Sequence, residues 1–337
     1  MPPMDPVTAH IDRGWELIEK GDLKGAEKAA RQVLEQAKPE AHTLLGAVAS
    51  ARGEPEEAMD HFRKAMDADP EYLDPVLYAA ELCMGPLGDL DEAERLAEQA
   101  LELAEEEDEY VDALLLRAEV ALLADDDEAA AAAMGELPEE VPLPDASYEM
   151  RAGHLWLELG ELEQAEKRLR AALAADDTLA DAWHGLGLVH EQAGREDDRT
   201  AAMLRVRELD LAAPDEAWAL PAGEVARITE EQLGKLPDVF RERLTNVPIQ
   251  IDEYPSEELI KDGLDPRLLG VFSGTSITEK SSMGPAGVDV IVLFRRNIHR
   301  VAHTAEEAQE ELRVTILHET GHFFGLDEEG LAELGLD

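Results

Sequence analysis

Cysteine is almost missing from this chain: Cys83 is its only one. No disulfide can form within the chain, and a reducing compartment, the cytoplasm, is the expected location. Aromatic residues make up only 4% of the 337 residues. Ala, Leu and Glu abound instead, a balance that favours helix over sheet. Basic residues are scarce, with 30 Lys and Arg against 77 Asp and Glu and a formal net charge of -47. Such a chain repels phosphates, which argues against nucleic acid and against an anionic membrane as partner. No apolar run is long enough to span a bilayer. The opening MPPMDPVTAHIDRG lacks the basic start and apolar stretch of a secretory signal. What is present is a hydrophobic share of 45%, enough to bury a core, in a chain long enough for two domains.

The first two thirds repeat themselves. EKGDLKGAEKAARQVLEQAKP and ARGEPEEAMDHFRKAMDADP share one grammar, in which a Gly is followed five residues later by a small Ala and then by an apolar row. The glycines are Gly21, Gly53, Gly88, Gly160 and Gly194, spaced by 32, 35, 72 and 34 residues. The gap of 72 conceals a weaker copy near LLADDDEAAAAA, with Ala129 placed in register beside Ala26, Ala58, Ala93 and Ala165. Each copy reads as two amphipathic helices, with Gly at the turn and Ala where the pair packs closest.

A period near 34 with this grammar resembles the tetratricopeptide repeat. The match is best over 39–72, where Leu45-Gly46, Gly53, Ala58, Phe62, Ala65 and Pro70 take the family's positions. In the last copy Arg199 replaces the expected Ala, so its second helix is expected to sit differently. About six repeats over 7–212 imply a helical-hairpin solenoid whose concave face takes a protein or peptide partner. Trp15, Trp156, Trp183 and Cys83 are expected in the core. His42, His61, His154, His184 and His190 read as packing or surface residues. Residues 226–337 carry a net charge of -11 and the remainder -36. The array's acidity is either a set of solvated helix faces or a groove that recruits a basic partner.

Pro214, Pro221 and Gly223 break the helical register and mark a linker over 213–228. A helix is expected over 229–244. Strand patterns then appear in VPIQIDEY, LLGVFSG and VDVIVLF. The polar, glycine-containing stretch 275–287 is a candidate part of a cleft. TAEEAQEELRVTILHETGHFF reads as one long helix, with Thr304 as N-cap and Glu307 three residues on.

That helix carries His318-Glu319-Thr320-Gly321-His322. Residues i and i+4 lie on one helix face, so both histidines can direct a ring nitrogen at one Zn²⁺ ion. Glu319 is rotated about 100° from His318 and stands beside the open metal position, placed to act as general base on a zinc-bound water. Gly325 can end the helix and turn the chain back toward the metal. A catalytic zinc takes three protein ligands. By spacing the third is Glu328, with Asp327 as the alternative, itself a good N-cap for a final helix.

Residues 229–337 resemble the small bacterial zincin-like metallopeptidase family, through LPDVFRERLTNVPIQIDEYP, LLGVFSG, ITEKSS, VIVLFRRNI and LRVTILHETGHFFGLDEEGLAELG. The family's HExxHxFG plus acidic residue maps onto His318, Glu319, His322, Gly325 and Glu328. The resemblance implies a mostly α chain, a tetratricopeptide solenoid followed by a small α+β zincin-like domain with bound zinc, and it implies peptide hydrolysis. In zincins an extended substrate pairs with the edge strand before the active-site helix. Here that would be 288–294, unless it is a core strand. Arg296, His299 and His303 read as surface or structural residues. Two functions follow: a zinc peptidase whose repeats recruit substrate or partner, or a non-catalytic adaptor with a structural or vestigial zinc domain.

Overall fold

The structure is a computed structural model that describes residues 5–139, 142–236, 238–244, 247–274, 289–327 and 330. The chain divides into two compact units, Met1–Val189 and His190–Asp337. Mostly helix is observed, with 17 helices and one three-stranded sheet among the described residues. None of these helices is long and apolar enough to cross a membrane.

The first unit is built from helical hairpins. They are α1 (Pro6–Glu19) with α2 (Leu23–Val33), and α3 (Lys38–Ala51) with α4 (Pro55–Ala68). Next come α5 (Asp74–Met84) with α6 (Leu90–Leu103), and α7 (Glu107–Leu123) with α8 (Asp127–Gly135). The hairpin α9 (Ala146–Glu158) with α10 (Leu162–Ala175) follows, and α11 (Ala180–Gln192) runs through the division at 189/190. Each hairpin also packs on the next, α2 on α3, α4 on α5, α6 on α7 and α8 on α9. Core is therefore shared between neighbours, as in a solenoid. Ala26, Ala58, Ala93 and Ala165 are fully buried where the paired helices approach. Cys83 is buried in the core cluster around α4 to α7, while Trp15, Trp156 and Trp183 are half-buried and pack against other clusters of the array.

The turn inside each hairpin needs one residue in the left-handed region. Gly21, Gly53, Gly88, Gly160 and Gly194 supply it at φ between 61 and 74°. In the weak copy the same turn is made by Asp125 at φ 57°, the one non-glycine with positive φ among the described residues. Counting five from Asp125 gives Ala130, which is fully buried, whereas Ala129 is only half-buried. The register expected at Ala129 is thus corrected by one residue. Aspartate tolerates this conformation better than most side chains but less well than glycine. Asp125→Gly is expected to stabilise the protein by about 0.5–1 kcal/mol, read as a higher urea midpoint at constant slope. A lower midpoint would contradict this account of the turn.

Two of the histidines read as packing or surface residues meet in this unit: His42 Nδ1 on α3 and His61 Nδ1 on α4 lie 2.9 Å apart. Burial, aided by the charge of Lys64, holds both below the usual histidine range. A depressed folded-state value means that the unfolded chain takes up protons first as pH falls. The stability these rings contribute is complete above the unfolded pKa of about 6.5 and is lost as pH drops through it. Between about pH 7.5 and 5.5 the wild type should lose more stability than a His42→Gln/His61→Gln variant. Equal losses would contradict this reading.

The second unit opens with α12 (Glu196–Ala212). Arg199, at the position where the other repeats bury Ala, is itself buried. Its guanidinium donates to Ile260 O at 3.1 Å and Gly263 O at 3.5 Å. Further along α12, Arg207 donates to Pro255 O at 2.7 Å. Tyr254 Oη donates to Asp210 O at 2.8 Å, and Arg296 donates to Leu211 O and Ala213 O. The last carbonyls of a helix need such donors.

A helix runs over Ala222–Lys235 (α13) and another over Asp238–Leu244 (α14), where one helix over 229–244 was expected. Leu236, preceding Pro237, is extended at ψ 147°, the conformation a following proline imposes. The sheet comprises β1 (Ile249–Asp252), β2 (Gly270–Ser273) and β3 (Val290–Phe294) in the order β1-β3-β2. β3 runs parallel to β1 and antiparallel to β2. Short helices α15 (Glu257–Lys261) and α16 (Arg295–Arg300) follow β1 and β3. The long helix α17 (Ala305–Phe324) packs on β2, β3 and α13. Ile291 and Leu293 of the sheet meet Ala308, Leu312, Ile316 and Phe323 of α17 in one core. The strand 288–294 was a candidate edge for substrate. The structure corrects this: β3 is bonded on both sides and buried at 291–294, so its backbone has no vacancy for a further strand.

Candidate metal centre

Helix α17 begins where expected. Thr304 Oγ1 accepts from Glu307 N at 3.1 Å, and Glu307 Oε2 accepts from His303 N at 2.8 Å. Its apolar side chains fall on one face and bury it in the core. Glu319 shares that buried face and is only 6% exposed, while His318 and His322 are half-buried beside it.

The two histidines converge. His318 Nε2 and His322 Nε2 lie 3.0 Å apart. Two nitrogens about 2.0–2.1 Å from one tetrahedral ion would lie about 3.3–3.4 Å apart, so a small adjustment would let both reach the same metal. The chain beyond the helix sets up one of them. Gly325 has φ 86°, a left-handed turn that closes with Leu326 N donating to Gly321 O at 3.1 Å. The turn brings Leu326 O to within 3.1 Å of His322 Nδ1. A carbonyl can only accept, so this contact places the proton on Nδ1 and leaves a lone pair on Nε2, directed toward His318.

Of the expected third ligands, Glu328 lies outside the described residues, as does 275–287. Asp327 is exposed, and its Oδ1 accepts from Gly330 N at 3.0 Å, the capping role its position suggested. Among the described residues no three His, Cys, Asp or Glu side chains gather as a metal cluster. The two imidazoles fit two positions of a zinc coordination sphere and leave the rest to groups beyond them.

Glu319 is set against the start of β2. A Cβ on Gly270 would lie 3.0 Å from Glu319 Cγ and 2.9 Å from Thr315 Cγ2, so this close approach requires glycine. Beside it opens a mainly apolar cleft of about 200 Å³, bordered by Leu268, Leu269, Val314, His318 and Glu319. The cleft and the Leu326 carbonyl were both missed by sequence reasoning. Nothing in side-chain spacing reports a backbone acceptor, and LLG reads equally as buried strand.

Arg296, His299 and His303 border a different cavity of about 390 Å³, with Trp218 and Tyr254. Among the described residues neither ring nitrogen of buried His299 has a hydrogen-bond partner, and Trp218 stands edge-on to it at 5.7 Å. Burial and the Arg295 charge hold the His299 pKa below the usual range. Among the described residues this cavity shares no lining residue with the cleft beside His318.

Comparison with known proteins divides along the same chain. The model of the zincin-like metallopeptidase family matches residues 244–336, and that of the tetratricopeptide repeat matches 11–72 and 87–142. No curated protein sequence matches. Among solved structures, the chain resembles the APC/C hetero-tetramer Cut9-Hcn1 at 14% identity and a TM-score of 0.50, over 61% of this chain and 41% of that one. PilF of Pseudomonas aeruginosa is similar at 17% identity and a TM-score of 0.49, over 62% of this chain and 93% of that one. TTC0263, a repeat protein of Thermus thermophilus, aligns at 20% identity and a TM-score of 0.42, over 52% of this chain and 92% of that one. Likeness at such identities concerns the fold alone.

Proposed function

Starting from a chain that carries tetratricopeptide repeats and a zincin-like metallopeptidase domain, we propose that it is a zinc-dependent peptidase whose repeats recruit a protein or peptide. The observation that carries this reading is the pair of Nε2 atoms 3.0 Å apart on α17, with Glu319 between them in sequence and beside them in the fold. Zinc, when bound, supplies Lewis acidity toward the scissile carbonyl and lowers the pKa of a bound water to about 7. His318 and His322 would hold it, with Glu328, or Asp327 in its place, as third ligand. His322 is kept in the binding tautomer by Leu326 O.

The remaining work falls to Glu319. Its carboxylate takes a proton from the attacking water and passes it to the nitrogen of the departing amine. Packed against Gly270 and buried, the side chain has little rotational freedom to lose, which favours catalysis by a preplaced base. The acidic balance of the array, -36 outside residues 226–337, supports a basic protein or peptide as its partner and opposes nucleic acid or anionic lipid.

The test is a defined peptide library incubated with zinc-loaded full-length protein and with the Glu319→Ala variant, read by mass spectrometry. Fragments made only by the wild type support the proposal. Identical fragment sets, or none with zinc bound, would overturn it, and the latter would leave a partner-binding adaptor.

A further inference from the structure

The cleft beside Glu319 has a wall that does not stand by itself. It is formed by Leu268 and Leu269 at the end of the segment joining α15 to β2. Inside the segment, Asp265 Oδ1 accepts from Arg267 N at 2.7 Å. The fully buried Asn297 of α16 donates through Nδ2 to Pro266 O at 2.8 Å and Leu268 O at 2.6 Å. The third hold comes from α12. Arg267 Nε lies 3.2 Å from Asp210 Oδ2, and its Nη2 lies 3.4 Å from Oδ1. Both side chains are nearly buried, at 9% and 11% exposure. Asp210 is itself fixed, because its carbonyl accepts from Tyr254 Oη.

A forked guanidinium–carboxylate contact fixes direction as well as distance, particularly when shielded from water. Here it fixes the residue immediately before Leu268. Two residues further on stands Gly270, in contact with Glu319. Leu268 is 41% exposed, so the wall presents apolar surface that an apolar side chain could cover.

We propose that α12, a helix of repeat grammar, serves the candidate catalytic unit. Through the Asp210–Arg267 pair it sets the wall Leu268–Gly270 of the cleft, which receives an apolar side chain of the substrate. Asp210 and Arg267 are then positioning residues. They touch neither substrate nor metal and act through the wall. The catalytic part of this inference rests on the peptidase reading above; the clamp itself does not.

The experiment compares full-length wild type with Asp210→Asn, Arg267→Lys and Arg207→Gln. The last removes an α12 anchor, to Pro255 O, that does not reach the wall. Hydrogen–deuterium exchange over 267–272 reads the clamp without any assumption about activity. Asp210→Asn and Arg267→Lys should speed exchange there by about tenfold, and Arg207→Gln should not. With zinc-loaded protein and a cleaved peptide bearing leucine beside the scissile bond, the two clamp variants should raise KM by about tenfold with kcat within about twofold. The increase should shrink for the same peptide carrying alanine. Unchanged exchange in both clamp variants would overturn the clamp. Faster exchange with unchanged KM, or the same KM shift in Arg207→Gln, would overturn the positioning role. If wild type cleaves nothing, the positioning role falls with the peptidase reading, while exchange still decides the clamp.

Discussion

Glu319→Ala is expected to keep zinc bound and to slow peptide hydrolysis by about 10²–10⁴-fold, the usual contribution of a positioned acid–base group. On the proposed mechanism metal and base are separable, because the two imidazoles reach across one helical turn while Glu319 projects from the adjoining face. Removing its carboxylate withdraws the proton acceptor and leaves both ring nitrogens in place. Because Glu319 is buried, Glu319→Gln is the necessary companion, retaining side-chain volume against Gly270 without the charge. Both variants should show a lowered kcat at similar KM, the pattern of an interaction made in the transition state. Loss of zinc in both would point to a ligand or structural role for Glu319. Undiminished hydrolysis would remove it from the mechanism.

The second large effect is on stability. Arg168 of α10 and Glu149 of α9 form an ion pair at 3.2 Å with side chains only 4% and 1% exposed. Glu149 Oε1 also accepts from Leu143 N at 2.6 Å, and Arg168 donates to Pro138 O. The pair therefore ties the segment between α8 and α9 to the hairpin that follows. Arg168→Ala would leave a buried carboxylate without its counter-charge, which costs about 3–5 kcal/mol. Replacing both residues by methionine removes the stranded charge and should cost less, although the Leu143 and Pro138 contacts are lost as well. Urea unfolding followed by circular dichroism measures both. A loss below about 1 kcal/mol for Arg168→Ala would mean that water reaches Glu149 and that the pair acts as a surface contact.

The features most legible in the sequence were those carried by one residue type at one position. A left-handed turn selects glycine, so Gly21, Gly53, Gly88, Gly160 and Gly194 marked the hairpins, and Gly325 marked the end of α17. The weak repeat was blurred because Asp125 makes the same turn with a side chain that reads as solvent-facing. Thr304 and Glu307 announced the start of the long helix, and the i, i+4 histidines announced their own convergence. Buried charged residues were the least legible feature. Glu149, Arg168, Arg199 and Arg267 belong to types that almost always face water. Their burial depends on partners 19 to 64 residues away, which no local pattern reports. Strand order was equally hidden. VDVIVLF marked a strand, but its central place depends on β1 and β2 pairing on either side. The sequence pointed to Gly325 as a turn back toward the metal. That the turn also presents a backbone carbonyl to His322 follows from the folded path of the chain, which side-chain identities do not report.

The central claim is that α17 holds a zinc ion between His318 and His322, and metal content tests it most directly. Elemental analysis of purified full-length protein should give about one zinc per chain. His318→Ala and His322→Ala should each abolish tight binding, and Glu328→Ala should weaken it. Wild type without zinc after incubation with the metal, or with zinc that persists in both histidine variants, would contradict the account.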